Sequence, residues 1–318
     1  EITILAEEPR LAYDRVHLTE YFSGKSAKDL TLCRADFADA YGIDLRLNTK
    51  AVAIDQSHKT VTTNHGDVLS FDKLILATGS YAFVPPISGN DRENCFVYRT
   101  IEDLDAIRAA SLNAKSGVVI GGGLLGLEAA KALRDLNLET HVVEFAPRLM
   151  AVQIDDLGGK VLRAKIENLG VKVHTQKATS SIEEGAATKH VMKFGDGSEL
   201  ETDIILFSAG IRPRDELARQ SGLALGERGG IMINDYCQTS NPDIYAIGEC
   251  ALWQNKIYGL VAPGYDMARI AAKHVTEQAC AEFAGADMST KLKLMGVDVA
   301  SVGDAHAMTP NCLLYTSD

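Results

Sequence analysis

No apolar run in this chain of 318 residues approaches the roughly 20 that a membrane-spanning helix needs, and no leader-like pattern precedes the first strand signal. Positive charge is the scarcer sign. Lys and Arg number 32 against 43 Asp and Glu, for a net charge of -11, which would repel nucleic acid and anionic membrane surfaces and sets both aside as partners. Cysteine is sparse and scattered: Cys33, Cys95, Cys237, Cys250, Cys280 and Cys312 contain no C-x-x-C, so no redox disulfide, zinc or iron–sulfur ligand set is expected. That usage suits a reducing cytoplasm. There is one tryptophan and no low-complexity tract. What remains is an ordinary globular composition, 46% hydrophobic and 24% charged, in a chain long enough for two or three cores. Residue 1 is Glu rather than Met, and Ile2 to Leu5 already read as a strand, so the chain is expected to begin inside a longer protein.

The strongest motif lies near the middle. Gly117-Val-Val-Ile120 is a short β-branched run, followed by Gly121-Gly-Gly123-Leu-Leu-Gly126 and a helical pattern from Leu127 to Leu136. Leu125, Ala129, Leu133 and Leu136 fall on one stripe. A second strand, Thr140-His-Val-Val143, ends at Glu144. Strand, glycine turn, helix and strand ending in an acid form the dinucleotide-binding fingerprint. Gly121 permits the tight turn, Gly123 lets backbone N–H groups approach a pyrophosphate, and Gly126 lets helix and strand pack closely. Leu124 and Leu125, between the glycines, are counted among the cofactor-binding residues. Glu144 can accept hydrogen bonds from an adenosine ribose and repel a 2′-phosphate, which favours NADH; nearby Arg148 keeps NADPH as the alternative.

A second layout of the same kind surrounds this one. Asp72-Lys-Leu-Ile-Leu-Ala-Thr-Gly79 parallels Asp203-Ile-Ile-Leu-Phe-Ser-Ala-Gly210, and hairpin signals precede both, at Gly66-Asp67 and Gly195-Asp-Gly197. Gly42-Ile-Asp-Leu-Arg-Leu parallels Gly170-Val-Lys-Val-His-Thr, and Ile2 to Glu7 parallels Glu139 to Glu144. Four landmarks in one order and near-constant spacing predict an α/β chain of two doubly wound, Rossmann-like dinucleotide-binding domains. By that spacing the first copy's opening strand and phosphate loop would lie upstream of Glu1, and Glu7 would be a ribose acid for a second dinucleotide.

The stretch Thr239-Ser-Asn-Pro-Asp-Ile-Tyr-Ala-Ile-Gly248-Glu249 is an apolar strand ending in Gly-acid, which sets a carboxylate at the ligand-binding edge of a parallel sheet. This pattern resembles the two-dinucleotide flavoprotein reductases related to the pyridine nucleotide-disulfide oxidoreductases. The resemblance implies FAD as the second dinucleotide, with Glu249 on its ribitol where most members have Asp. It further implies flavin contacts from Glu7, Arg15, Ala51, the Ala77-Thr78-Gly79 segment, Gly248, and Pro263-Gly264 at the start of a helix running from Met267, while Gly210, the counterpart of Gly79 in the other copy, would lie at the cofactor of the NAD domain. Glu128 matches the glutamate these enzymes hold near the nicotinamide and flavin edge; its other reading is an exposed helix charge paired with Lys131.

More narrowly, Glu7-Glu-Pro-Arg-Leu-Ala-Tyr-Asp-Arg-Val-His-Leu18, Tyr98-Arg-Thr-Ile-Glu-Asp-Leu104, Leu260-Val-Ala-Pro-Gly-Tyr265 and Lys291-Leu-Lys-Leu-Met-Gly-Val-Asp-Val299 resemble the large subunits of NADH-dependent assimilatory nitrite reductases, through to about Thr309. Asn311 to Asp318 match nothing in that pattern. The resemblance implies electron flow from NADH through FAD to a siroheme and iron–sulfur centre in a later part of such proteins, with that downstream centre or a small subunit as partner and a homodimer left open. Related ferredoxin and rubredoxin reductases carry a lysine where this chain has Glu20, so no catalytic lysine transfers; a reductase of that type is the enzymatic alternative. A nucleotide-binding module without turnover, or an inert fragment, is the alternative of another class. The expected domains are a discontinuous FAD domain (1–100 with 235–283), an NAD domain (115–234), a linker from Ala284 to Ser289, and the start of a C-terminal domain (290–310). His17 and His141 are expected to be structural or surface residues, because hydride transfer needs no general base.

Overall fold

A computed structural model describes residues 1–279, 281–294, 297–306 and 308; Cys280, Cys312, Thr309 and the Asn311–Asp318 segment lie outside the described residues. Six α-helices occur among the described residues: α1 (Phe37–Tyr41), α2 (Ile101–Ser111), α3 (Leu124–Asp135), α4 (Asp156–Asn168), α5 (Glu216–Ser221) and α6 (Val261–Val275). None of them is long and apolar enough to cross a membrane. The chain divides into two compact units. The first comprises Glu1–Val16, Thr31–Tyr81 and Ile211–Asp287, and the second His17–Leu30, Ala82–Gly210 and Met288–Asp318.

The second unit holds a five-stranded parallel sheet in the order Lys172–His174, Glu139–Val143, Ser116–Ile120, Ile204–Phe207, Cys95–Val97. Its central strands read as unbroken apolar runs because both faces are covered. All four residues of Ile204–Phe207 are buried, as are Gly117 to Ile120. An antiparallel meander, Thr179–Glu184, His190–Phe194 and Glu199–Thr202, follows the parallel strand Lys172–His174. Ile182, Met192 and Phe194 from the meander pack with Val118, Val143 and Phe207 in one core.

The first unit repeats that order of elements. Ile2–Leu5 pairs in parallel with Ile43–Arg46, and a meander follows from Ala51–Asp55, Thr60–Thr63 and Val68–Ser70. Leu74–Leu76 then pairs in parallel with Ile244–Ala246, and Ile231–Ile233 with Ala251–Trp253. Ile54, Val61, Leu76, Tyr245, Trp253 and Met267 share its core. The repeat extends to backbone conformation. Positive φ angles recur at Gly42 and Gly170, Gly66 and Gly197, and Gly79 and Gly210, turns where the sequence spacing predicts them, and also at Asn48 and Gln176.

In one respect the repeat differs from expectation. Leu5 faces Arg46 and Val143 faces His174, so Ala6 rather than Glu7 is the ladder equivalent of Glu144. The backbone bonds agree: Ala6 N–H donates to Arg46 O and Glu144 N–H to His174 O. Glu7 stands one residue past its expected counterpart.

The domain bounds also differ. The expected break after Asn234 falls at Gly210, because Leu217, Ala218 and Leu223 pack into the first unit's core and Gln56 Nε2 donates to Ser221 O at 2.5 Å. His17–Leu30 goes to the second unit, where Tyr21 Oη donates to Asp105 at 2.5 Å and Tyr98 Oη to Thr19 Oγ1 at 3.1 Å. The hairpin of Thr290–Leu294 and Val297–Ser301, expected to open a further domain, is grouped with the second unit, where Ser301 Oγ donates to Gln153 O at 2.5 Å.

Candidate functional site

In the second unit the buried strand Ser116–Ile120 runs into a turn that only glycine can make. Gly121 has φ +119°, and a Cβ there would lie 2.2 Å from Ser208 O. A Cβ on Gly126 would lie 1.9 Å from Gly121 O, so the missing side chain lets α3 sit against the turn. Gly123 is different in kind, since a Cβ there would meet nothing within 4 Å. Its lack of a side chain keeps space clear in front of the helix. Gly123 is also the N-cap of α3, extended and without any side-chain cap, so the helix start offers backbone N–H groups with no side-chain acceptor. Helix α3 begins at Leu124, three residues before the expected start, and buries Leu127, Ala129, Ala130, Ala132 and Leu133. Leu125 and Leu136 of the expected stripe are only half-buried.

Glu144 ends the neighbouring strand and folds back on this loop. Its Oε2 accepts from Gly122 N–H at 2.5 Å and its Oε1 from Ala146 N–H at 2.6 Å. The carboxylate is thereby fixed at the carboxyl edge of the sheet beside the glycine turn. Arg148, the residue that kept NADPH open, is committed elsewhere: Nη1 reaches Asp156 Oδ1 at 2.6 Å and Nε donates to Ile154 O at 3.1 Å. Gly210 has φ +108° just past the strand Ile204–Phe207.

Glu128 lies on α3. The reading of it as an exposed charge paired with Lys131 fails, because Lys131 pairs with Asp135 one turn on. Glu128 is half-buried, and burial pushes its carboxyl up to about 7, against a smaller opposing pull from His17. Glu20 is ion-paired with Lys25.

In the first unit Glu7 lies between two cations, with Oε1 2.9 Å from Lys50 Nζ and Oε2 2.6 Å from Arg214 Nη2. Partial burial opposes its charge, but hydrogen bonds from Lys50 and Arg214 outweigh that and hold the carboxyl below its ordinary range. Arg214 also ties down the Ala77-Thr78-Gly79 segment. Its backbone N–H donates to Gly79 O at 2.9 Å, its carbonyl accepts from Thr78 Oγ1 at 2.6 Å, and its guanidinium stacks on Tyr81 at 4.6 Å. Arg15 pairs with Glu8 and lies over the Tyr13 ring, and Ala51 begins its strand half-buried. Gly248 takes φ +72°, and Glu249 beside it accepts from Ser80 Oγ at 2.7 Å. Helix α6 starts at Val261, not Met267, so Pro263 and Gly264 lie within its first turn. Proline is tolerated there because its missing N–H would have no helical partner. That helix start has no side-chain cap, and a Cβ on Gly264 would come within 3.5 Å of Gly248 Cα.

The structure thus groups Gly121, Gly123, Leu124, Gly126 and Glu144 around one turn, and Thr78, Gly79 and Glu7 around Arg214. Four participants escaped the sequence reading. Gly122 was a spacer in the motif, and Lys50, Ser80 and Arg214 reach their partners only through the fold. Among the described residues there is no cluster of three His, Cys, Asp or Glu side chains able to hold a metal ion.

The family model described as pyridine nucleotide-disulphide oxidoreductase matches residues 1–274. This chain belongs to that family. Among solved structures, a NAD-dependent persulfide reductase from A. fulgidus superposes with a TM-score of 0.90 at 28% identity, covering 97% of this chain and 60% of its own. By sequence the chain is 56% identical over 316 residues to the nitrite reductase (NADH) large subunit of Escherichia coli, covering 99% of this chain and 37% of that one. It is 59% identical to the nitrite reductase [NAD(P)H] large subunit of Klebsiella oxytoca over 317 residues, covering 99% of this chain and 33% of that one. The chain therefore spans about a third of the length of these two relatives.

Proposed function

We propose that this chain is the electron-entry part of an NADH-dependent nitrite reductase, taking electrons from NADH and sending them through FAD toward a siroheme and iron–sulfur centre elsewhere in the full-length protein. The observation that carries the reading is the Glu144 carboxylate bonded to the Gly122 N–H beside the open position at Gly123. In this reading the second unit holds NADH. The first N–H groups of α3 take its pyrophosphate, Gly123 leaves room for the phosphates to approach, and Glu144 accepts from the adenosine ribose. Arg148, already bonded to Asp156, offers little to a 2′-phosphate, which supports NADH over NADPH.

The residues of the first unit fit a flavin dinucleotide. Lys50 and Arg214 keep Glu7 ionised and oriented as a ribose acceptor. Thr78, Gly79 and Arg15 line the same unit, and Glu249 is the acid for the ribitol. The Gly248–Gly264 approach sets the uncapped, positive end of α6 where it favours negative charge on the ligand. When bound, FAD supplies the step from hydride chemistry to single-electron transfer. Glu128 acts at the nicotinamide-binding unit as a carboxyl poised near neutrality. Glu20 in place of the lysine of ferredoxin and rubredoxin reductases weighs against that alternative. Scattered cysteines with no C-x-x-C suit a reducing, cytoplasmic setting.

The test is ammonium formation by the purified full-length protein with nitrite and NADH as the only substrates. Ammonium produced in step with NADH consumed supports the proposal. Rapid reduction of an added rubredoxin or ferredoxin, with no ammonium from nitrite, replaces it with the small-protein reductase.

A further inference from the structure

Ser80 follows the Ala77-Thr78-Gly79 segment directly, and it is 4% exposed. A buried hydroxyl needs a hydrogen-bond partner. Its Oγ donates to Glu249 Oε2 at 2.7 Å, between residues 169 apart in sequence. Because the acceptor is a carboxylate, this bond is charge-assisted and stronger than one between neutral groups.

The backbone on which Glu249 stands is itself fixed. Glu249 lies in the single 3-10 turn Gly248–Cys250, entered through a left-handed Gly248. Cys250 is fully buried, and its thiol lies within hydrogen-bond reach of two carbonyls, Leu76 O at 3.5 Å and Ile247 O at 3.3 Å. Ile247 N–H in turn donates to Leu76 O at 3.0 Å. A glutamate side chain on that rigid base still has three torsions to settle, and the bond to Ser80 settles the far end. An aspartate on the same backbone would be shorter by one carbon–carbon bond, about 1.5 Å, and would leave the buried Ser80 hydroxyl out of hydrogen-bond range. The longer acid and the hydroxyl at residue 80 therefore belong together.

We infer that Ser80 is a positioning residue that sets the Glu249 carboxylate for the sugar-alcohol chain of a flavin dinucleotide. The inference rests on the FAD reading proposed above and adds to it the residue that lets a glutamate serve at this position. Ser80 acts through Glu249, so its contribution vanishes wherever Glu249 can no longer reach it.

The experiment is a double-mutant cycle on the full-length protein: wild type, Ser80→Ala, Glu249→Asp and the double variant, with Ser80→Thr as the conservative control. Each is stripped of flavin and titrated with FAD, following flavin fluorescence. The flavin midpoint potential and the unfolding temperature of each stripped protein are measured alongside. Ser80→Ala should weaken FAD binding about ten-fold, as loss of one hydrogen bond to a charged group does, and shift the potential. Ser80→Thr, which keeps the hydroxyl, should restore most of the affinity. In the Glu249→Asp background Ser80→Ala should cost nothing further. Additive losses, or loss of FAD affinity matched by an equal fall in the unfolding temperature of stripped Ser80→Ala and Ser80→Thr alike, overturn the inference alone. A wild-type protein that takes up no FAD overturns the proposed function, and this inference with it.

Discussion

Replacing Glu144 by glutamine removes one charge while keeping the side chain's shape, and it should invert much of the preference between the two nicotinamide coenzymes. The carboxylate is half-buried and bonded to two backbone N–H groups, Gly122 of the glycine turn and Ala146 of its own loop. A 2′-phosphate arriving within about 4 Å of it would meet a repulsion near 4 kcal/mol at an effective dielectric of about 20. Solvent and salt at a half-exposed site reduce that to about 1–2 kcal/mol, or roughly 5- to 30-fold in binding. Hydrogen bonds from ribose hydroxyls to a charged acceptor contribute about 1.5–3 kcal/mol, part of which an amide oxygen retains, so NADH should lose about ten-fold. Together the ratio of kcat/KM for NADH over NADPH should fall by about two orders of magnitude in Glu144→Gln, read from initial rates with ferricyanide as acceptor. Arg148→Met is the companion variant, and it should leave that ratio unchanged because Arg148 is already engaged with Asp156 and the Ile154 carbonyl. A Glu144→Gln protein of normal unfolding temperature with an unaltered ratio would refute the assignment of Glu144.

The two inner glycines of the loop should separate stability from binding. Gly126→Ala puts a Cβ 1.9 Å from Gly121 O and should lower stability by about 2–4 kcal/mol in denaturant unfolding. Gly123→Ala has open space and a permitted φ of -81°, so it should unfold like wild type while KM for NADH rises at least about ten-fold; a normal KM would remove Gly123 from the site. Glu128, held near 7 mainly by burial, is neutral below that pH and charged above it, whereas an unfolded glutamate ionises near 4.5. The raised value means stability declines as pH rises from the unfolded value through 7, by up to about 3 kcal/mol before allowance for partial exposure. Glu128→Gln should therefore flatten the stability profile between those limits and remove an inflection near pH 7 from the rate of NADH oxidation; parallel profiles for the two proteins would contradict this.

The glycine loop and the repeat were readable because both are local patterns. A turn at φ +119° admits glycine alone, a parallel strand buried on both faces must be continuously apolar, and three glycine pairs in left-handed turns recur at nearly constant spacing. The parts that escaped are contacts between distant segments. Arg214 meets Glu7 across 207 residues, and Ser80 meets Glu249 across 169, and no periodicity announces such pairs. The compact units divide elsewhere than the sequence spacing suggests for a related reason. Ile211 to Asn234 look much like the strands before them, and their contacts with distant segments, such as the packing of α5 on the strand Ala51–Asp55, group them with the first unit. The one-residue slip between Glu7 and Glu144 came from matching acid to acid, whereas the ladder counts strand positions. Helices α3 and α6 begin earlier than their apolar stripes, since a helix start that faces a ligand is lined by glycine and proline rather than by core residues.

The most direct test of the whole account is an anaerobic titration of the full-length protein with NADH, followed in the flavin absorption band. Bleaching that is complete near one equivalent of NADH, with NADPH far less effective, is the predicted result. A protein that shows no flavin band after incubation with FAD, or one whose band NADH leaves unchanged, would contradict the claim that its two units carry a flavin and a nicotinamide dinucleotide for electron transfer.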